Sequence, residues 1–165
     1  MELALPAATR GCTAEVTLTA PDGRTVAFQT AKLFGTIARL VLDAGKVQPW
    51  SAEIPALYGV TVTLKDPAGK TIEIIPLQAG FREVKIEGGQ LLVNGQPVLI
   101  KGANRHEMDP DGGYVVSEER MIEDIRILKE NNFNAVRTCH YPDDARWYAL
   151  CDRYGLYLVA EANLE

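Results

Sequence analysis

Histidine and cysteine are scarce in this chain: two of the first and three of the second among 165 residues. So little cysteine excludes a disulfide-stapled scaffold, and Cys12, Cys139 and Cys151 are odd in number and fit no zinc spacing. They read as free thiols in a reducing compartment. A basic excess is lacking too. The formal net charge of −5 has the wrong sign for a nucleic-acid face. No apolar run approaches the length that crosses a bilayer. The opening MELALPAATRG has neither the basic start nor the apolar stretch of a secretory leader. A cytoplasmic location is the expectation, with no membrane partner; a leader on a longer parent protein stays open. Repeats, low-complexity tracts and phosphate-cradling glycine patterns are also missing.

What is present is an ordinary globular composition, 47% hydrophobic and 24% charged, long enough to bury a core. The chain divides by texture. Residues 1–80 show short alternating strands around turns: EVTLTA, PDG and RTVAFQT (15–30), IARLVLDAG (37–45), and VTVTLKDPAGKTIEIIPL (60–77). That spacing predicts an antiparallel, immunoglobulin-like β-sandwich, with ELAL (2–5) as a strand entered midway and Trp50 in its core. A complete sandwich runs to about a hundred residues, so an N-terminal strand is expected to be missing. Residues 81–165 read differently. After a hairpin turned at Asn94-Gly95, three apolar runs (97–107, 134–142 and 156–165) alternate with two amphipathic stretches, Ser117–Asn132 and Asp143–Gly155. Strand, helix, strand, helix, strand is a parallel α/β pattern, the opening of a (β/α)8 barrel that needs about 250 residues to close. The expectation is a truncated barrel, with Leu99, Val136 and Leu158 on its inward face.

Parallel sheets place chemistry at the carboxyl ends of their strands, and both histidines fall there. His106 follows the first run in Asn104-Arg105-His106-Glu107. His140 follows Arg137 at the end of the second. Each histidine alone would be a surface residue; two at equivalent ends of adjacent strands share one mouth. Arg137 interrupts an apolar strand, either as a structural pair for a carboxylate or as a fixed cation that keeps one ionised. Glu161 and Glu165 leave the third run four residues apart. Carboxylates there suit magnesium or calcium better than zinc, and paired glutamates also suit glycoside hydrolysis; the spacing alone does not choose.

Taken together, LLVNGQPVLIKGANRHE, MIEDIRILKENNFNAVRTCHYP and WYALCDRYGLYLVAEANLE resemble the start of the catalytic barrel of glycoside hydrolase family 2, nearest to its large bacterial β-galactosidases. The resemblance runs from about residue 80 to 165, and PWSAEIPALYGVTVTL (49–64) resembles the family's preceding sandwich. It implies a fragment of a retaining enzyme that hydrolyses terminal non-reducing β-D-galactose from β-galactosides. It implies that the acid/base and nucleophile glutamates lie beyond residue 165, so that no catalytic residue falls within the chain and the chain alone is inactive. It also implies that His106 and His140 contact the galactosyl group, and that Arg137, Asn104 and Glu161 line the same pocket. Glu165 would be a ligand of an active-site magnesium ion completed by later residues, in a homo-oligomeric parent. Ala160 stands where relatives often carry Asp, and Cys139 where many carry Ser. A β-glucuronidase or β-mannosidase relative, or a non-catalytic carbohydrate-binding module, are the competing readings.

Overall fold

The computed structural model describes residues 2–4, 11–35 and 37–164, the first three by their backbone. The chain forms two compact units: Met1–Gln48 with Leu57–Phe81, and Pro49–Ala56 with Arg82–Glu165.

The first unit holds β1 (Glu2–Ala4), β2 (Thr13–Thr19), β3 (Thr25–Lys32), β4 (Ile37–Arg39), β5 (Tyr58–Lys65) and β6 (Thr71–Ala79). Four of them form an antiparallel sheet in the order β3-β2-β5-β6. Along β2 every second residue is buried, Ala14, Val16 and Leu18, so the period-two pattern turns one apolar face inward. Leu33, Leu40, Leu42, Ala44 and Val47 pack against that face and against Tyr58, Val62 and Leu64 of β5. The strand expected over 37–45 is shorter than its pattern. Only Ile37–Arg39 pairs, with β1, as Glu2↔Arg39 to Ala4↔Ile37. Beyond it Leu40, Leu42 and Ala44 still turn inward while Val41 is exposed, so the alternation reports a covering layer rather than a ladder.

The second unit begins with the segment Pro49–Ala56, which corrects the expectation for Trp50. Its indole is buried, but edge-on to Tyr157 at 5.7 Å and donating from Nε1 to the carbonyl of Asp152 at 2.8 Å. Next come β7 (Val84–Glu87), β8 (Gln90–Val93) and β9 (Gln96–Pro97), an antiparallel meander. Its second turn has both central residues at positive φ, Asn94 (52°) and Gly95 (75°), the geometry that Asn-Gly favours.

The remainder is β10 (Gly102–Arg105), α1 (Glu118–Glu130), β11 (Ala135–Thr138), α2 (Ala145–Tyr154) and β12 (Tyr157–Val159). The three strands are parallel, in the order β10-β11-β12. Ser117 caps α1 by accepting from the Arg120 amide, and Asp144 caps α2 by accepting from that of Arg146. Met121, Ile125, Trp147, Leu150 and Cys151 meet Val136 and Leu156 in one core, with Leu158 packed on it. Val136 and Leu158 therefore face the helices rather than a barrel interior. Leu99 lies before β10, which starts at Gly102, and is exposed. Strand parity explains the rest: Asn104, Arg137 and Val159 are register partners on the opposite face from Val136 and Leu158.

Candidate active site

The row Asn104–Arg137 ends at a polar mouth. Arg137 Nη1 lies 3.4 Å from Asn104 Oδ1, and Nη2 lies 2.6 Å from Glu161 Oε2. His140 Nδ1 lies 3.3 Å from Glu161 Oε1 and 3.4 Å from Arg137 Nη2. That nitrogen can donate to the carboxylate or accept from the guanidinium, not both. Arg137 Nη2 carries two N–H groups and can reach both Glu161 and His140, so Arg137, His140 and Glu161 form one connected polar cluster. Thr138, fully buried, fixes the carboxylate's backbone by accepting from the Glu161 amide at 3.1 Å. The His106 ring stands edge-on to His140 at 5.7 Å and 6.4 Å from Tyr141, which meets Tyr114 at 6.4 Å. Asn104, His106, Arg137, His140 and Glu161 are thus brought together. Glu165 lies outside the described residues.

Beneath the mouth is a buried ionic hub that the sequence reading did not single out. Arg105 lies over the Trp147 ring, its guanidinium carbon 3.8 Å from the ring centre, and bonds Asp143 at 2.7 Å and Asp124 at 3.0 Å, with Glu107 at 4.0 Å. Glu107 in turn accepts from the Asp144 amide at 2.8 Å. The hub ties the end of β10 to the loop after β11, so the two histidines sit on mutually anchored backbones. Burial raises the Asp143 and Glu107 carboxyls above the usual range, against the pull of Arg105. The signal available in the sequence was parity: with Asn104 on one face of β10, Arg105 must point at the helices, where only acidic partners make a cation tolerable.

Donors and acceptors of Asn104, Arg137, His140 and Glu161 gather at these strand ends with imidazole and phenol rings beside them, and the Arg137 guanidinium is paired with Glu161. Fold and site together define an antiparallel β unit followed by an α/β unit that carries polar chemistry at its strand ends. Residues 84–165 match the family profile "Glycosyl hydrolases family 2, TIM barrel domain", and residues 4–82 match "Glycosyl hydrolases family 2". The chain belongs to glycosyl hydrolases family 2.

It is similar to a β-galactosidase of Lactococcus lactis, 49% identical over 140 residues that cover 84% of this chain and 14% of the relative. To a β-galactosidase of Photobacterium profundum it is 54% identical over 124 residues, covering 75% and 12%. The chain therefore spans about one seventh or less of the length of these curated relatives. Among solved structures, a β-D-glucuronidase of Dictyoglomus thermophilum matches with a TM-score of 0.80 and 30% identity, covering 92% of this chain and 25% of that one. A β-glucuronidase of Ruminococcus gnavus in complex with D-glucuronic acid matches with a TM-score of 0.78 and 29% identity, covering 91% and 25%.

Proposed function

We propose that this chain is part of a retaining β-galactosidase, spanning a β-sandwich and the first three strands of its catalytic barrel. The observation that carries the reading is the identity of about half its residues to curated β-galactosidases over 124–140 positions. In this reading His106, His140, Asn104, Arg137 and Glu161 hold the galactosyl group, and the acid/base and nucleophile carboxylates come from residues outside the chain. Arg137, 2.6 Å from Glu161 Oε2, fixes the position of the carboxylate as an acceptor for sugar hydroxyls, and His140, beside Glu161, presents its other nitrogen to the sugar. Glu165 would supply one oxygen to a magnesium ion. Glu161, the carboxylate next to it in sequence, is spent on Arg137 and His140, so the described residues do not by themselves form a hard-oxygen site. A homo-oligomeric, cytoplasmic enzyme belongs to the same reading.

A β-glucuronidase is the second reading, favoured by the solved structures this chain matches. A uronate carboxylate calls for an uncommitted cation. Arg137 and Arg105 are both matched by acids at 2.6 and 2.7 Å, which supports a neutral sugar. The test is turnover of p-nitrophenyl β-galactoside against p-nitrophenyl β-glucuronide by the full-length enzyme. Preference for the galactoside is expected, and preference for the glucuronide would reverse the assignment. The 165-residue chain alone should turn over neither, because retention needs two carboxyls about 5 Å apart across the scissile bond and Glu161 is held by Arg137.

A further inference from the structure

We propose that His106, Cys139 and His140 form a binding site for a borderline-soft divalent cation, with zinc as its biological occupant. One ligand atom from each residue, an imidazole nitrogen or the sulfur, lies within 4.8 Å of the other two. The donors come from two strand ends, His106 after β10 and Cys139-His140 after β11, which is why no local cysteine or histidine spacing announces them. Two imidazoles and a thiolate select zinc and its heavier congeners and reject magnesium.

The geometry needs only a small closure. Zinc bonds of about 2.0–2.3 Å set tetrahedral ligands roughly 3.3–3.8 Å apart, so the donors must approach by about 1 Å. Both imidazoles are exposed, whereas Cys139 is buried, so the histidine rings rather than the sulfur supply the approach. Its Sγ donates weakly to the Arg105 carbonyl 3.3 Å away, so when the cation displaces the thiol proton, which leaves to solvent as the metal–sulfur bond forms, only that weak hydrogen bond is lost. His140 has the support a metal-bound ring uses: a carboxylate, Glu161 Oε1, 3.3 Å from Nδ1 leaves Nε2 as the ligand. The two nearby guanidiniums do not repel the ion strongly, since Arg137 is paired with Glu161 and Arg105 with Asp143. Three protein ligands leave a fourth position for water or an added ligand. Zinc and sugar would then exclude one another. That consequence rests on the galactosidase reading, whereas the site itself does not.

Cadmium is the probe, because its thiolate complex absorbs in the near ultraviolet. Titrated into the 165-residue chain, Cd²⁺ should produce a thiolate charge-transfer band saturating at one ion per chain, and Zn²⁺ should abolish it by displacement. Cys139→Ser should lose the band, while Cys12→Ser and Cys151→Ser keep it; burial pushes the Cys151 thiol up to about 12 and holds it protonated. His106→Gln, at an exposed position, should bind at least as weakly as the roughly 10–100-fold loss that outer-shell changes bring. If Cys139→Ser does not fold by circular dichroism, His106→Gln decides alone. No band in the native chain, or a band of native strength and affinity in a folded Cys139→Ser or in His106→Gln, would overturn the site. None of these outcomes touches the hydrolytic assignment, which the two glycosides test separately.

Discussion

Arg105 is the residue on which the mouth depends, although it is not exposed there. Arg105→Met keeps bulk over Trp147 but strips Asp143, whose side chain is completely buried, of its cation. Breaking a buried pair from one side costs about 3–5 kcal/mol. Asp143→Asn should cost less, because Arg105 retains Asp124 and Glu107. Urea unfolding should rank Arg105→Met as the weaker variant, and the opposite order would make Asp143 the hub. The pH dependence has a definite sign. Burial raises the folded-state Asp143 and Glu107 carboxyls above their unfolded values. Their contribution is therefore fully present below the ordinary carboxylate range near about 4, and it is lost as pH rises through the folded values. Removing Arg105 takes away what holds them down. The deficit of Arg105→Met should accordingly shrink as pH falls from about 7 toward about 4; a deficit constant with pH would refute this account. In sequence, Arg137 was legible as a charge interrupting an apolar strand. Arg105 was not: written between Asn104 and His106 it looks like surface, and the partner that makes it tolerable, Asp143, is 38 residues away.

At the level of elements, the helices were legible because their signals are local. Ser117, Asp144 and Gly155 cap within a turn of the residues they serve. Gly155 also shows what local signals leave out. It sits at φ +79°, and a Cβ there would fall 2.3 Å from the Ala52 carbonyl oxygen. Gly95, at φ +75°, has nothing within 4 Å of its would-be Cβ. An L-residue in the left-handed region loses about 1–2 kcal/mol at either place. Gly155→Ala should lose distinctly more, the excess measuring the Ala52 contact, and equal losses in urea unfolding would show that residues 49–56 yield. The same segment misled the sequence reading. A buried tryptophan was evident at position 50, but Tyr157 and the Asp152 carbonyl that receive it are about a hundred residues distant, and an indole buries equally well in either core. Strand lengths were overread for a related reason: alternation records which side faces a core, whereas a strand also needs a hydrogen-bonding neighbour. Where that neighbour exists on both sides, in β2, β5, β8 and β11, amide exchange should be slowest within each sheet. Faster exchange in β11 than in β12 would contradict the pairing.

At the level of the whole chain, the parallel sheet ends on both sides in strands paired once. Among the described residues β10 and β12 each pair, as strands, with β11 alone. The chain beside them carries exposed apolar side chains, Leu99 and Ile100 before β10, Val159 and Leu164 at and after β12. A row of unpaired amides and carbonyls flanked by apolar groups is a template for another strand. The net charge of −5 opposes association, but at ordinary ionic strength exposed charges are screened beyond about 8–10 Å, while strand pairing acts at contact. The 165-residue chain should therefore self-associate, with a weight-average mass in sedimentation velocity that climbs as concentration rises. Val159→Lys is the discriminating variant. Val159 is 55% exposed and lies on the face away from the helix core, so a lysine stem fits there without disturbing Val136 or Trp147, and circular dichroism should not change. Its ammonium group at the edge of β12 should repel a second copy and hold the mass near that of one chain to higher concentration. Phe28, exposed on the outer face of the sandwich sheet, supplies the control. If Phe28→Lys suppressed association and Val159→Lys did not, the adhesive surface would be the sandwich, and the open edge of the parallel sheet would not govern how this chain behaves in solution.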